Sequence, residues 1–228
     1  MSELICCICE AKKENAREVV RAKDGVICDD CFHKIYGMIS TRGERFLGGK
    51  SNVNYVVQSD KIRYMPVATV KEMYAYQEEK RKEAETFECK KSLFDGCLEL
   101  DDEAQLFRVV NRPSHDQNGI SSEFVYPYSA VKGYHYEMVY VIRESVDSDG
   151  TSSKYTTYSN ENAIVIEVDD KFVKEEIFTP ETIRLPGIFS NNGKANIKQA
   201  EEILESLKDI FGKPITPRKK LKNRYRII

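Results

Sequence analysis

Two Cys-x-x-Cys pairs lie within the first 31 residues, Cys6-Cys7-Ile8-Cys9 and Cys28-Asp29-Asp30-Cys31, with 18 residues between Cys9 and Cys28. One tight turn carrying two thiolates can place both on a single ion, and two such turns complete a tetrahedral shell. The spacing predicts one structural metal site built from Cys6, Cys9, Cys28 and Cys31, with zinc as the expected ion. Four sulfurs leave no coordination position for a reacting water, so the expected role is structural rather than catalytic. Cys7 is only two residues from Cys9, and His33 falls on the helix that follows. Neither is expected to ligate.

Between the pairs, Arg17-Glu18-Val19-Val20-Arg21 alternates like a strand, Asp24-Gly25 supplies a two-residue hairpin turn with positive φ, and Val26-Ile27 returns toward the metal. Asp29 or Asp30 is placed to cap a helix whose apolar positions Phe32, Ile35, Tyr36 and Ile39 share one face. Knuckle, hairpin, knuckle and helix, in that order, is a treble-clef-like arrangement spanning residues 1–40. The helix N-terminus would also favour the negative thiolates of Cys28 and Cys31.

Residues 41–90 read as a connector and a charged helix. Arg42-Gly43 and Gly48-Gly49 interrupt regular structure, and Tyr55-Val56-Val57 reads as a short strand. Thr69-Val70-Lys71-Glu72 has the form of a capping box opening a helix. Val70, Met73, Tyr74, Gln77, Ala84 and Phe87 mark one side of that helix, and Glu78 and Lys82 are spaced for an i,i+4 pair.

From residue 91 the pattern changes to strands. Leu98-Glu99-Leu100 and Leu106 to Val110 read as a hairpin, followed by Phe124-Val125-Tyr126, Val131 to Ile142, Ala163 to Val168, Phe172 to Phe178, and Thr182 to Leu185. Ser148-Asp149-Gly150 reads as a turn. A helix capped by Asn196 closes the domain, with Ile197, Ala200, Ile203, Leu204, Leu207, Ile210 and Phe211 on its apolar face, Gly212 ending it and Pro214 preventing resumption. The expected class is α+β: an N-terminal metal module, a linking helix, and about seven antiparallel strands over residues 91–213 plugged by an amphipathic helix.

Charge is unevenly distributed. The chain of 228 residues carries a formal net charge of −2. Arg218, Lys219, Lys220, Lys222, Arg224 and Arg226 lie together in residues 214–228 with no acid among them, and setting that +6 aside leaves −8 on the rest. An acidic body repels a polyanion, so wholesale coating of nucleic acid is not expected. The basic segment is the candidate nucleic-acid or phosphate contact, with Tyr225 available for stacking.

Charged residues make up 32% of the chain, and no apolar run approaches the ~20 residues a bilayer span needs. Met-Ser-Glu-Leu-Ile-Cys-Cys lacks the basic and apolar regions of a secretion signal, and Cys7, Cys89 and Cys97 are an odd remainder that does not suit a disulfide framework. A cytoplasmic protein with reduced cysteines is expected, with Cys89 and Cys97 as buried thiols.

The stretches Cys6 to Cys31, Thr69-Val70-Lys71-Glu72-Met73-Tyr74-Ala75-Tyr76, Leu98-Glu99-Leu100-Asp101-Asp102-Glu103 and Tyr128-Ser129-Ala130-Val131-Lys132-Gly133-Tyr134 together resemble an uncharacterised family of bacterial and phage proteins, common in Firmicutes. That resemblance implies a four-cysteine module, a helix of the type Thr-Val-x-x-hydrophobic-x-x-Tyr, and a pleckstrin-homology-like domain. The family has no assigned activity, and folds of this type bind lipids, peptides or other domains. No phosphate loop, nucleophile elbow or zinc-hydrolase motif is present. His115-Asp116 lies in a Pro-, Asn- and Gly-containing stretch, and His135 sits in a strand between two tyrosines. The expectation is therefore a non-enzymatic protein that binds another protein, with host-factor modulation as the phage-specific version and nucleic-acid binding as the alternative.

Overall fold

In the computed structural model, which describes residues 4–15, 18–39, 61–110, 124–146, 154–183 and 193–217, the first backbone pairings are two short hairpins. Strands β1 (Leu4–Ile5) and β2 (Lys12–Lys13) frame the first cysteine pair. Strands β3 (Val19–Ala22) and β4 (Gly25–Cys28) pair antiparallel, with Ala22 opposite Gly25. The turn is therefore Lys23-Asp24, one residue earlier than the sequence suggested. Positive φ is confined to other described residues, so Gly25 is not there for backbone freedom. Its lack of a side chain serves packing instead: a Cβ at Gly25 would lie 2.8 Å from Val67 Cγ2.

Helix α1 (Asp29–Ile39) starts at Asp29, so Cys28 rather than an aspartate precedes it. Phe32 and Ile35 are fully buried as expected, while the side chains of Tyr36 and Ile39 lie outside the described set. The expected strand at 55–57 and the glycine breaks at 42–49 also lie outside the described residues.

Helix α2 (Val67–Glu85) begins two residues before Thr69, with Pro66 as its N-cap and no side-chain cap of its own. The proposed capping box is thus inside the helix. A cap arrives from elsewhere: Asp24 Oδ1 accepts the Val67 amide at 2.7 Å, and the Lys23 amide donates to the Met65 carbonyl at 3.0 Å. Val70 and Met73 are the buried positions. Glu78 pairs with Lys34 at 3.3 Å and Arg81 at 3.5 Å, not with Lys82, and Arg81 also reaches Glu85 at 2.5 Å.

Strands β5 (Lys91–Leu93), β6 (Leu98–Asp101), β7 (Leu106–Val109) and β8 (Val125–Pro127) form a four-stranded antiparallel meander. The expected β6–β7 hairpin is present, with Leu98 opposite Val109 and Asp101 opposite Leu106. Asp101 Oδ1 accepts the amides of Glu103 and Ala104 to set its turn. Strands β9 (Val131–Val146), β10 (Lys154–Val168) and β11 (Glu175–Phe178) form a second antiparallel sheet, ordered β11-β10-β9. Thr182 is not in a strand: Glu181–Ile183 forms a turn of 3-10 helix. Phe172 and Val173 precede β11 in a turn whose amides bond to Asp170 Oδ1. The turn expected at 148–150 lies outside the described residues.

Helix α3 (Gly193–Phe211) begins three residues before Asn196, so that residue is inside the helix and not its cap. Ala200, Ile203, Leu204, Leu207 and Phe211 are buried as expected; Ile197 is 45% exposed. Gly212 adopts φ +62° and its amide donates to the Lys208 carbonyl, ending the helix. Phe211 packs on Phe107 and Tyr128, each with centroids 5.0 Å away. Leu98, Leu100, Phe107 and Tyr126 of one sheet and Tyr134, Ile164, Ile166 and Phe178 of the other share one core with α3.

That core is continuous with the metal module. Cys6, Ile27, Cys28, Cys31, Phe32 and Ile35 join it through Val70 and Met73. Tyr76 completes the junction: its ring lies edge-on to Phe124 and Phe172, and its hydroxyl donates to Asp170.

Gly25→Ala should lower stability by about 1–3 kcal/mol, because the added methyl overpacks Val67. Adding Val67→Ala should recover part of the loss in a thermal-unfolding cycle, whereas purely additive effects would mean that the contact does not limit packing. Asp24→Ala should cost about 1 kcal/mol through the lost cap on α2, read by denaturant unfolding.

Candidate metal centre

The backbone brings the first cysteine pair to the second by attaching it to β4. Cys6 bridges Val26 in parallel, the Cys7 amide donates to the Val26 carbonyl at 2.9 Å, and the Cys28 amide donates to Cys6 Sγ at 3.3 Å. Glu10 at φ +61° turns the chain back, and its amide donates to the Cys6 carbonyl. Cys28 ends β4, and Cys31 sits in the first turn of α1.

The four sulfurs of Cys6, Cys9, Cys28 and Cys31 all lie within 4.8 Å of one another. Cys9 Sγ is 3.6 Å from Cys28 Sγ. A tetrahedral ion with metal–sulfur bonds of about 2.3 Å needs sulfurs about 3.8 Å apart, so the donor set fits. All seven cysteines are free thiols. Cys6, Cys28 and Cys31 are buried, while Cys9 is exposed and forms the outer corner. The cluster can hold a metal ion, and its four sulfurs close the shell.

Electrostatics make the cluster asymmetric. Burial raises the Cys6 thiol, but the amides of Cys9, Cys28 and Ile8 aimed at its sulfur outweigh that and bring it down to about 7. Burial raises Cys28 and Cys31, and the crowded neighbouring sulfurs push Cys31 further up. A dication at the centre would remove the repulsion among the thiolates that this crowding creates. Cys7 is raised mainly by burial and then by Cys6, and it stands outside the cluster. His33 is exposed on α1, also outside it.

The other sequence candidates separate. Arg218, Lys219, Lys220, Lys222, Arg224, Arg226 and His115 lie outside the described residues. Cys97 is buried as expected, but Cys89 is exposed, because it belongs to the segment between α2 and β5 rather than to a strand. His135 is buried, with Nε2 3.3 Å from Glu137 Oε2 and Nδ1 3.2 Å from Thr216 Oγ1. Glu167 Oε1 lies 3.7 Å from the same Nδ1. His135 stood out in the sequence, but Glu137 and Glu167 did not. The signal of the group was acids at strand positions, Glu137 and Glu167, within otherwise apolar alternation. A cleft of about 580 Å³ opens beside it, with His135, Thr216, Glu201 and Glu205 among its lining residues. No helix among the described residues is long and apolar enough to cross a membrane.

Comparison with protein-family models, curated proteins and solved structures finds no match to this chain.

Purified chain should carry about one metal ion by elemental analysis. Cys28→Ser should lose it and unfold β3, β4 and α1, since metal binding contributes roughly 10 kcal/mol to modules of this kind. Cys7→Ser should retain it. A metal-free wild-type chain with α1 amides still protected from hydrogen exchange would contradict the assignment.

Proposed function

We propose that the chain is a zinc-dependent, non-enzymatic cytoplasmic interaction protein whose metal module and β-rich body together display a surface for another protein. The observation that carries this reading is the closed four-sulfur cluster sharing a core with the body. Thiolate-only coordination favours zinc among the common divalent ions. Such a site offers no vacant coordination position for chemistry, so its contribution is to hold shape.

The order knuckle, hairpin, knuckle and helix supports a treble-clef-like module. Two antiparallel meanders of four and three strands followed by α3 support a pleckstrin-homology-like body. The C-terminal end of α2 exposes Arg81, Lys82, Glu83 and Glu85, and the same helix is held to the module by Lys34 at Glu78 and to the body by Tyr76. We assign partner binding to the module and that end of the helix, with modulation of a host factor as the version that the family resemblance suggests. Nucleic-acid binding through Arg218 to Arg226 is the weaker reading, because the rest of the chain carries −8 once that +6 is set aside.

Affinity capture from the native host should return one partner at fixed stoichiometry with the wild-type chain. The same partner should be lost with Cys28→Ser and with Arg81→Glu, and retained when residues 218–228 are removed. Recovery that depends on residues 218–228 and on low salt would instead favour a polyanion ligand.

A further inference from the structure

The four sulfurs of the cluster do not face solvent equally. Cys6 is 0%, Cys28 1% and Cys31 3% exposed, whereas Cys9 is exposed. The first knuckle therefore turns one sulfur outward in front of three that are hidden. Cys9 Sγ lies 3.6 Å from Cys28 Sγ, across the gap between the two pairs. A disulfide holds its sulfurs about 2 Å apart, so joining this pair asks for a closure of about 1.5 Å, made from the exposed side.

Oxidation of a cysteine follows its thiolate character, its access to solvent and the presence of a second sulfur to resolve the first product. Cys9 combines the three: a bound dication would keep its sulfur deprotonated, its side chain is open to solvent, and Cys28 stands beside it. Cys89 is the other exposed cysteine, but it lies between α2 and β5, donates to the Lys91 carbonyl at 3.5 Å and has no part in the cluster. Its oxidation would leave the four sulfurs intact. Cys97 is buried in the body, and Cys7 is half-buried outside the four.

We propose that Cys9 is a peroxide-reactive site: its thiolate reduces hydrogen peroxide, Cys28 resolves the product as a Cys9–Cys28 disulfide, and the module gives up its ion. The Cys9 sulfur attacks one peroxide oxygen; the S–O bond forms as the O–O bond breaks, and the departing hydroxide takes a proton from solvent. The Cys28 thiolate then attacks the Cys9 sulfur; the S–S bond forms, the S–O bond breaks, and a second hydroxide leaves and is protonated. Two thiolates lose two electrons, one peroxide gains them, and two protons are consumed to give two waters. Cys6 and Cys31 alone then make only half of a tetrahedral shell. The β3–β4 turn loses its anchor, and with it loosen the Asp24 cap on Val67 and the close contact of Gly25 with Val67 that start α2. An oxidant thereby disorders the surface displayed by the module and α2. The inference rests on reading the four sulfurs as a zinc shell.

Titrating hydrogen peroxide into the full chain purified with its metal tests it, with released ion followed by a chromogenic zinc chelator and disulfides mapped by peptide mass spectrometry. One ion should leave per Cys9–Cys28 disulfide formed, and dithiothreitol with added zinc should reverse both changes. Amides of residues 19–35 and 67–73 should lose protection from hydrogen exchange in step with the ion. Cys89→Ser should release the ion at the wild-type rate. Cys9→His, which keeps a donor at the outer corner but cannot form a disulfide, should slow release about tenfold or more. A first disulfide in any other pairing, or wild-type release from Cys9→His, would overturn the inference, and the wild-type map decides even where Cys9→His fails to fold. A chain that carries its ion and keeps it under peroxide would overturn the inference and leave the metal reading standing; a chain that never held an ion would overturn both.

Discussion

Four cysteine sulfurs within 4.8 Å of one another are the constraint on which the N-terminal part depends. Its strands are only two to four residues long, and the largest fully buried side chains among its described residues are Ile27, Phe32 and Ile35. That is too little apolar surface to offset the conformational entropy of ordering the segment. An ion held by the four thiolates would supply the missing free energy, and would do so only with both knuckles and the start of α1 in place. The amides pointing at Cys6 show that the polypeptide is arranged to favour a thiolate there.

The order imposed at the cluster passes outward through α2. The β3–β4 turn supplies the cap on Val67, Gly25 allows Val67 to approach, and Val70 and Met73 bury the inner face of the helix. Tyr76, one turn further on, reaches the body through Phe124, Phe172 and Asp170, and burial together with the Asp170 carboxylate raises its hydroxyl well above the usual range. A helix with a largely charged outer surface is thus held by contacts at one end and one edge. Within the body, Tyr126 donates to the buried Glu176 at 2.6 Å, an example of a buried acid satisfied by a specific donor.

Much of this was legible in the chain. The cysteine spacing pointed to the four-cysteine cluster, and β-branched, aromatic and aliphatic runs pointed to β6, β7, β9 as far as Ile142 and β10 only from Ala163 onward, because these patterns depend on short-range geometry. Gly212 marked the end of α3 because the left-handed conformation strongly favours glycine there. The errors share a physical cause. Thr69 and Asn196 have the chemistry of helix caps, but α2 takes its cap from Asp24, 43 residues away in sequence, and α3 begins earlier. Gly25 was read as a turn residue when its role is close approach to Val67. The His135–Glu137–Glu167 group was missed because its members are brought together by strand register, which local sequence does not encode.

The central claim is that a closed shell of four thiolates organises the module and, through it, the surface presented by α2. X-ray absorption at the metal edge of the purified chain tests this most directly. The account predicts zinc with four sulfur scatterers at about 2.3 Å and no lighter atom in the first shell. A shell containing nitrogen or oxygen, or fewer than four sulfurs, would contradict it.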